Sequence, residues 1–399
     1  MEHTDSQLTK PGVLQVIPQL DAGGAERSCV EIASAVAANG WRSFVATSGG
    51  RLETELLRAG VTVFHMDAAS KNPMVMMENI GKLRRIIRAR DISIVHARSR
   101  APAWSAMAAA NAEYRHFVTT YHSKVHDKPR WKVFYNSVMA RGEAVIANSQ
   151  FTADRIMMAH GTPVETVHPI PRGFDLETFD PDSVDQARVQ TLKNEWGVEG
   201  DNRSLVVLPA RLTRWKGPLL LIDAAAKTTL PARFVIAGDA QGREDFEAEV
   251  RQHISDLGLM EQVTLAGHIS DMAAAYKAAD IVVSASLDPE PFGRIGVEAQ
   301  AMGKRMIAPD HGGAREQFIT DPAHQRTGWL FEPGNAEALA SVLDDALAMS
   351  AEDASQMGAR ARAHALSSFT SAAMCASTLD VYRDVLSGAA SARKAAETS

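Results

Sequence analysis

The sequence of 399 residues has few features of a secreted or membrane-spanning protein. It contains two cysteines, Cys29 and Cys375, which lie far apart in the chain, so no disulfide framework is expected. No run of residues approaches the roughly 18 apolar residues of a membrane-spanning helix. Residues 1–10 are polar and lack the apolar core of a signal peptide. We therefore expect a cytoplasmic protein in which both cysteines pack as small apolar groups.

Motifs for metal ions and dinucleotides are also missing. Asp180 and Asp182 form an Asp-x-Asp pair, but it follows no predicted strand and lies in a proline-marked acidic segment, so we expect no bound metal. Gly23 and Gly24 stand between a predicted strand and a predicted helix, which is the geometry of a phosphate-binding turn. They do not form the GxGxxG of dinucleotide-binding proteins, which argues against a dinucleotide-dependent oxidoreductase.

The charge of the chain is unevenly distributed. The net charge of −6 argues against bulk binding to nucleic acid. Residues 82–143 nevertheless carry 13 lysines and arginines against four acidic residues. Without a membrane span, such a segment could dock on the anionic face of an inner membrane, at roughly 1 kcal/mol per well-placed cation. Ordinary solvated helix faces would give the same composition, so charge alone leaves both interpretations open.

The length and the order of predicted elements indicate two domains. A chain of 399 residues exceeds one ordinary core. Predicted strands alternate with helices from residue 13 onward and again from residue 205, which is typical of parallel sheets covered on both faces. We predict domains over 1–175 and 201–370 with a linker over 176–200. Residues 371–399 are predicted to form a helix that crosses back to the first domain, followed by a frayed tail.

The most informative stretch is 288–308, DPEPFGRIGVEAQAMGKRMIA. An apolar strand over 281–286 leads through a Pro-Phe-Gly turn into a helix rich in small residues. Glu290 should therefore lie in a loop at the carboxyl end of a strand, and Glu298 about one turn into the helix. Ligands of open α/β sheets bind in that crevice, where two carboxylates can accept hydrogen bonds from a sugar or a ribose. The alternative is a surface acid and an acid favoured by the helix dipole.

Cationic residues follow another predicted strand of the same domain. Arg211 and Lys216 come after the strand at 205–209, so they are expected at the same sheet edge as the two glutamates. Arginine offers a bidentate fork to phosphate and lysine a point charge, which together suit a diphosphate without metal. Ordinary loop charges are the alternative for this pair taken alone. In the first domain, His122 directly follows a predicted strand, where it is either a site residue or a structural histidine.

Together these motifs resemble those of retaining glycosyltransferases with the GT-B fold, glycosyltransferase family 4. The matching segments are EPFGRIGVE at 290–298, RLTRWKG at 211–217 and GGAE at 23–26. The resemblance covers residues 13–386. The segments HARSRAPAWSA, TTYHS and YNSVMARGEAVIANS are similar to alphaproteobacterial lipopolysaccharide-core glycosyltransferases often described as mannosyltransferases. Arg172 departs from the asparagine of many relatives and makes that wall of the site more cationic.

The resemblance implies a fold and a set of roles. Two Rossmann-like domains, the first on the acceptor side, would face a cleft in which the second domain holds a nucleotide sugar. The cations would bind its diphosphate, Glu298 its ribose and Glu290 the transferred sugar. Ile269 would flank the base, and backbone N–H groups of the glycine loop and of residues 292–295 would approach phosphate and sugar. The implied donor-binding residues are Gly23, Gly24, Arg211, Lys216, Ile269, Phe292, Gly293, Arg294, Ile295 and Glu298, and the implied catalytic residues are His122 and Glu290.

The activity implied by the resemblance is retaining transfer of a hexose from a nucleoside diphosphate sugar, without a cofactor or a metal. Mannose from GDP-mannose is the suggested group, and a lipopolysaccharide core or another membrane glycan the suggested acceptor. Retention in this family is usually assigned to departure and attack on one face, so catalysis would rest on charge stabilisation and positioning. The alternatives are a nucleotide-sugar epimerase on the same fold and a non-catalytic nucleotide-sugar-binding subunit.

Overall fold

A computed structural model describes residues 10–21, 23–122, 124–126 and 128–388. The chain separates into two compact units, one formed by Met1–Arg172 with Ser371–Ser399 and the other by Gly173–Thr370. The tail that was predicted to fray after Gly388 lies outside the described residues. Within the described ranges, no helix is both long enough and apolar enough to cross a membrane.

The first unit is built on a parallel sheet. Its described strands are β1 (Gly12–Val16), β2 (Arg42–Thr47), β3 (Thr62–His65), β4 (Ile94–Ala97), β5 (His116–Tyr121), β6 (Ala144–Ala147) and β7 (Val167–Pro169). Their order across the sheet is β3-β2-β1-β4-β5-β6-β7, and every neighbouring pair is parallel. The central strands are buried along their whole length because helices cover both faces. The loops after β1, β4, β5 and β7 therefore gather at one edge, where ligands of such sheets bind.

The helices of the first unit include the C-terminal one. They are α1 (Gly24–Ala38), α2 (Glu53–Arg58), α3 (Pro73–Ala89), α4 (Arg100–Ala112), α5 (Arg130–Asn136), α6 (Gln150–His160) and α14 (Ser371–Leu386). The Tyr382 hydroxyl of α14 lies 2.5 Å from Nδ1 of His96 in β4, whose Nε2 lies 2.7 Å from the Thr120 hydroxyl. Burial and the charge of Arg98 hold the pKa of His96 well below its ordinary value, so the ring is neutral. The prediction that the last helix returns to the first domain is confirmed.

The second unit repeats this plan with a six-stranded parallel sheet. The strands are β8 (Ser204–Leu208), β9 (Ala232–Ala237), β10 (Val263–Gly267), β11 (Ile281–Val283), β12 (Arg305–Pro309) and β13 (Trp329–Phe331), in the order β10-β9-β8-β11-β12-β13. The helices are α7 (Gln186–Glu195), α8 (Pro218–Ala225), α9 (Glu244–Asp256), α10 (Met272–Ala278), α11 (Ile295–Ala301), α12 (Ala336–Leu347) and α13 (Ala351–Ser368). The predicted α/β class with two Rossmann-like parallel-sheet domains is confirmed.

Residues 176–200, predicted to be a linker, belong instead to the second unit. They contain α7, which is capped by Asp185, whose side chain accepts the N–H of Ala187 at 3.0 Å. Val189, Leu192 and Trp196 are buried in the core of that unit. The acidic residues that suggested a connector act here as helix caps. The three apolar positions have helical spacing, and that spacing was the signal for a packed helix.

Candidate functional site

The acidic loop and the cationic loop of the second unit meet at the carboxyl edge of its sheet. Lys216 follows β8, and Glu290 follows the neighbouring strand β11. Nζ of Lys216 lies 2.7 Å from Oε1 of Glu290, and the Ser286 hydroxyl donates to the same oxygen at 2.5 Å. Lys216 is buried, with 9% of its surface exposed. In the described part of the chain Oε2 of Glu290 accepts no hydrogen bond, so it can accept one from a ligand.

A glycine makes this meeting possible. Gly217 has a φ of +70°, and a Cβ at this position would lie 1.9 Å from the carbonyl oxygen of Ala285. On the other side of the turn, the N–H of Leu287 donates to the carbonyl of Trp215 at 2.7 Å. The two loops are thus joined backbone to backbone. This contact fixes the ammonium of Lys216 over the Trp215 ring, 4.4 Å from its centre.

Two neighbouring glycines, Gly312 and Gly313, support the loop of Glu290. Gly312 has a φ of +61°, and a Cβ there would lie 2.5 Å from the carbonyl oxygen of Glu290. The N–H of Gly313 donates to that same carbonyl at 2.9 Å. Gln317 donates to the carbonyl of Gly293 at 2.8 Å. Side chains at 312 and 313 would displace this backbone, so the glycine pair helps to position the carboxylate.

Glu298 lies in the first turn of α11 and is buried. Its Oε1 lies 2.8 Å from the guanidinium of Arg294, and its Oε2 accepts the Tyr276 hydroxyl at 2.9 Å. Burial and the nearby carboxylate raise the pKa of Tyr276, so its hydroxyl stays protonated and donates. A carboxylate has about four acceptor positions. Glu298 can therefore accept ribose hydroxyls while it keeps both partners.

A small open cavity of about 20 Å³ adjoins Glu290. The predicted residues Gly293 and Ile295 line it, as does Phe292, whose side chain is buried in the core and leaves its backbone to face a ligand. His311 also lines it, and neither of its buried ring nitrogens has a hydrogen-bond partner in the described structure. Buried polar atoms are normally satisfied. Those of His311 are therefore available to a polar ligand.

Arg211 and Ile269 lie at the same sheet edge, after β8 and β10. Arg211 is exposed and forms no hydrogen bond or ion pair with any described residue. Its loop is tied to the loop after β9 because the N–H of Leu212 donates to the carbonyl of Asp239 at 2.9 Å. Ile269 packs partly buried against the core. Four charged residues were expected together: Arg211, Lys216, Glu290 and Glu298. Within the described chain, the direct contact among them is that of Lys216 with Glu290.

A second polar pocket, of about 300 Å³, opens at the carboxyl edge of the sheet in the first unit. Arg98, Arg100 and His122 line it, and Glu26 is the one acid among its described lining residues. Nη2 of Arg98 lies 3.1 Å from Nε2 of His122, and Nη2 of Arg172 lies 2.8 Å from its Nδ1. Burial and the charges of Arg172 and Arg98 hold the pKa of His122 well below its ordinary value. The imidazole is therefore neutral.

The glycine loop begins α1 beside this pocket. Gly23 caps the helix, and Gly24 is its first residue. The N–H of Gly23 donates to the carboxylate of Glu26, which also lines the pocket. A phosphate that approached this N–H would compete with Glu26, whereas the N–H of Gly24 is not engaged in that contact.

Sequence reasoning missed three polar contributors. Ser286, the last residue of the predicted strand, binds Glu290 four positions later. Tyr276 reaches Glu298 from α10 and was treated only as part of a helix. Arg98 follows β4 directly but was counted among surface charges. For Ser286 and Arg98, the available signal was a position at the end of a strand. For Tyr276, it was a position that faces an acid already predicted for the site.

The described residues contain no group of three or more His, Cys, Asp or Glu side chains that could hold a metal ion. The Asp-x-Asp pair has a structural position. The side chain of Asp180 accepts the N–H of Asp182 at 3.3 Å and lies 2.8 Å from the guanidinium of Arg362. Asp180 thus caps a short turn and ties it to α13.

Two family models match the chain. The model described as Glycosyltransferase Family 4 matches residues 22–178, and the model described as Glycosyl transferases group 1 matches residues 190–364. The first match falls almost entirely in the first unit, and the second lies within the second unit. Together they include every residue of the two predicted loops and of the glycine turn.

Known proteins share this fold over nearly the whole chain. The crystal structure of a glycosyltransferase from Rickettsia africae superposes with a TM-score of 0.86 at 32% identity, covering 94% of this chain and 99% of that one. Anabaena HepE in complex with UDP-glucose gives 0.77 at 25% identity, covering 93% and 99%. A D-inositol 3-phosphate glycosyltransferase from Xylanimonas cellulosilytica is 30% identical over 248 residues, 61% of this chain. The match spans 58% of that relative's length.

Proposed function

The chain belongs to the GT-B glycosyltransferases of the group 1 and family 4 type, and on that premise we propose that it transfers a hexose from a nucleoside diphosphate sugar to an acceptor hydroxyl. The observation that carries the proposal is the contact of Lys216 with Glu290. A buried cation and a carboxylate converge there on one sheet edge. In a nucleoside diphosphate sugar the diphosphate adjoins the sugar, so a cation for the phosphate and a carboxylate for the sugar hydroxyls are required next to each other.

The binding roles follow from charge and exposure. Arg211, which is exposed, would fork onto the diphosphate, and Lys216 would neutralise the charge next to the sugar. Oε2 of Glu290 would accept hydroxyls of the transferred sugar. Glu298 would accept those of the ribose. Each hydrogen bond to a charged group contributes about 1.5–3 kcal/mol, which is enough for such a donor to bind without metal.

The proposed reaction retains the configuration at the sugar. The bond from C1 to the phosphate oxygen breaks, and the diphosphate leaves with the electron pair. The acceptor oxygen then attacks C1 from the same face while its proton passes to the leaving phosphate. Arg211 and Lys216 would stabilise the leaving charge, and Glu290 would position the sugar. The predicted catalytic role of His122 belongs to this proposal: its neutral ring can exchange a hydrogen bond but supplies no charge.

Donor and acceptor are proposed by class. The motif resemblance supports GDP-mannose, whereas HepE was crystallised with UDP-glucose, so a uridine donor is the second candidate. A lipopolysaccharide core or another membrane glycan is the proposed acceptor. The curated relative is named for inositol 3-phosphate, and this name adds a phosphorylated polyol as a candidate.

We further propose peripheral contact with an anionic inner membrane, on its cytoplasmic face, through one surface of the first unit. Neighbouring residues of α4 hold the start of α3 and the end of the short helix α5: Ser105 donates to the carbonyl of Met76, and Trp104 to that of Tyr135, each at 3.1 Å. Exposed apolar and basic side chains surround this point. The α3–α5 surface comprises Met74, Met77, Lys128, Arg130, Trp131 and Phe134. Apolar side chains ringed by cations suit an anionic interface.

A thermal-shift panel of the protein against GDP, UDP, ADP and their common sugars tests the proposed function. A shift confined to one nucleotide, larger with its sugar, identifies the donor. That donor is then incubated with and without glycan acceptors. Nucleotide release that requires acceptor supports transfer. An altered sugar nucleotide formed without acceptor would identify the epimerase alternative, and binding without any turnover the non-catalytic one.

A further inference from the structure

We propose that the polar pocket of the first unit, lined by Arg98, Arg100 and His122, binds a phosphoryl group carried by the acceptor. The assignment to the acceptor rests on the proposed function. The pocket itself is defined by its own contacts, all within one unit.

Arg98 is a buried cation that no carboxylate of the described residues neutralises. It is 2% exposed, and its guanidinium donates to Oε1 of Gln15 at 3.0 Å and to the hydroxyl of Ser28 at 2.6 Å. Both partners are neutral, and no described carboxylate pairs with it. Its Nε has no hydrogen-bond partner in the described ranges. Burial of an uncompensated charge is costly. An anion in the adjoining pocket would offset the desolvation cost of the Arg98 guanidinium, which the described residues leave uncompensated.

The hydrogen bonds of His122 are also incompletely satisfied by its neighbours. Each of its ring nitrogens faces a guanidinium, Arg98 on one side and Arg172 on the other. A neutral imidazole has one N–H and one acceptor nitrogen, and a guanidinium has donors only. In one of the two contacts, the N–H of the imidazole therefore faces an N–H of the guanidinium, and no hydrogen bond can form. An oxyanion between the ring and either arginine would accept from both and remove the conflict.

The chain brings these groups together from separate strands. Arg98 follows β4, His122 follows β5 and Arg172 follows β7, and the N–H of Arg98 is held by the carbonyl of Val16 at 3.0 Å. Guanidinium forks converging from two sides match the several oxygens of a phosphoryl group. The one lining acid, Glu26, already accepts the N–H of Gly23.

The size of the pocket points to a larger ligand than a free ion. A volume of about 300 Å³ leaves room for a polyol or sugar beside the phosphoryl group. The diphosphate of the donor has proposed partners of its own in Arg211 and Lys216. A small phosphorylated polyol and a phosphorylated glycan share the chemistry that this pocket recognises.

Calorimetry on the full chain without nucleotide tests the inference. The probes are inorganic phosphate, inositol 3-phosphate, fructose 6-phosphate and a lipopolysaccharide core oligosaccharide before and after phosphatase treatment. We expect at least one phosphorylated probe to bind tenfold or more tightly than its dephosphorylated parent. Preference for a polyol phosphate or for the core oligosaccharide separates the two sources. Equal affinity for every phosphorylated and dephosphorylated pair would overturn the inference.

Variants locate the binding. Arg172→Gln and Arg98→Lys should each weaken the preferred phosphorylated probe at least tenfold. The first change removes a partly exposed guanidinium at little risk to folding, and the second keeps the buried charge. The matched control is Arg115→Gln, an arginine just before β5, at the opposite end of that strand from His122. Unchanged affinity in both pocket variants, or an equal loss in the control, would contradict the assignment.

The donor measurement is kept separate. Nucleotide affinity is measured in the same variants, and competition by the nucleotide against the phosphorylated probe is recorded. Loss of nucleotide affinity with full competition would show that the pocket serves the donor, which overturns the acceptor assignment. Phosphorylated-probe binding in a protein that binds no nucleotide would leave the pocket standing and remove the proposed function instead.

Discussion

Lys216 and Glu290 lie 74 residues apart in the chain and hold each other at 2.7 Å. Lys216 is buried and Glu290 is partly buried, so the loss of hydration offsets much of what the ion pair contributes to stability. A diphosphate would attract the lysine, and a sugar hydroxyl would replace it on the carboxylate. The pair therefore keeps two ligand-binding groups in position while the site is empty of donor.

Replacing Glu290 with alanine should reduce turnover more than donor binding. The sugar loses an acceptor whose alignment matters in the transition state, so we expect kcat to fall by about 10²–10³. The dissociation constant of the preferred nucleotide should stay within about threefold, because phosphate and ribose contacts persist. Steady-state kinetics and calorimetry measure the two quantities. Glu195→Ala, an exposed acid at the end of α7, serves as control, and normal turnover in Glu290→Ala would argue against its contact with the sugar.

Replacing Glu298 with alanine should weaken nucleotide binding. The ribose loses its acceptor, and we expect an affinity loss of about tenfold, equal to about 1.4 kcal/mol. Tyr276 also loses its partner and is left buried, which costs about 1–3 kcal/mol of stability. Tyr276→Phe separates the two effects, because it removes the hydroxyl but keeps the carboxylate. Calorimetry that finds unchanged nucleotide affinity in Glu298→Ala would remove this residue from the site.

Much of the fold was predictable because it depends on local pattern. Short apolar runs alternating with helical segments specify parallel strands covered by helices, and glycines such as Gly161 mark helix ends. The linker prediction for residues 176–200 was wrong because an acidic residue that caps a helix looks the same in a sequence as an acidic residue in a connector. The helical spacing of Val189, Leu192 and Trp196 distinguishes them, because these side chains are buried in a core built from distant strands.

The site was predictable where one short stretch holds its chemistry. The positions of Lys216 and Glu290 followed from the rule that loops after parallel strands share one edge. The hydrogen-bond donors to the two glutamates did not follow, because Ser286 becomes a neighbour of Glu290, and Tyr276 a neighbour of Glu298, only through packing. Of the two arginines around His122, Arg172 was expected to make a wall of the site more cationic, but Arg98 was missed because in sequence it is one charge among many. In the fold Arg98 is buried, and no carboxylate of the described residues pairs with it.

Gly217→Ala should disable the site through its backbone. At φ +70° an L side chain is strained by about 1–2 kcal/mol, and here its Cβ would also strike the carbonyl of Ala285. We expect the turn to move and Lys216 to leave Glu290, with a loss of turnover of at least tenfold. Gly258→Ala is the matched control, since that glycine has φ +69° and open space around it. Similar activity losses in both variants would show that strain alone, not the close approach, is responsible.

The stability of the first unit should depend on pH through His96. Its pKa is held well below the ordinary 6.5, so below that pH the unfolded chain binds a proton that the folded one does not. The free energy of unfolding is therefore unaffected by this group above 6.5 and falls as pH falls below it, by up to about 1.4 kcal/mol per pH unit. His96→Gln removes the titration. The difference in unfolding free energy between wild type and variant should shrink from about pH 7.5 to about pH 5.5.

Urea unfolding at several pH values measures that difference. His116, whose pKa is raised by Glu143, remains in both proteins, and its contribution cancels. A difference that is constant across the range would mean that His96 titrates alike in the folded and unfolded chain. The burial argument for its neutral ring would then be wrong.

Docking on membranes should depend on both components of the α3–α5 surface. Trp131 is 71% exposed, and its insertion into an interface would contribute about 1.5–3 kcal/mol, so Trp131→Ala should lower binding to anionic vesicles about tenfold or more. Lys128→Glu with Arg130→Glu should remove about 1 kcal/mol per cation and most of the salt dependence. Vesicle sedimentation with phosphatidylglycerol at low and high salt measures both. Tyr114→Asn is the control, because Tyr114 is an even more exposed aromatic residue beyond the carboxyl end of α4. If wild type sediments with neutral and anionic vesicles alike, or with neither at low salt, the basic segment is an ordinary solvated surface.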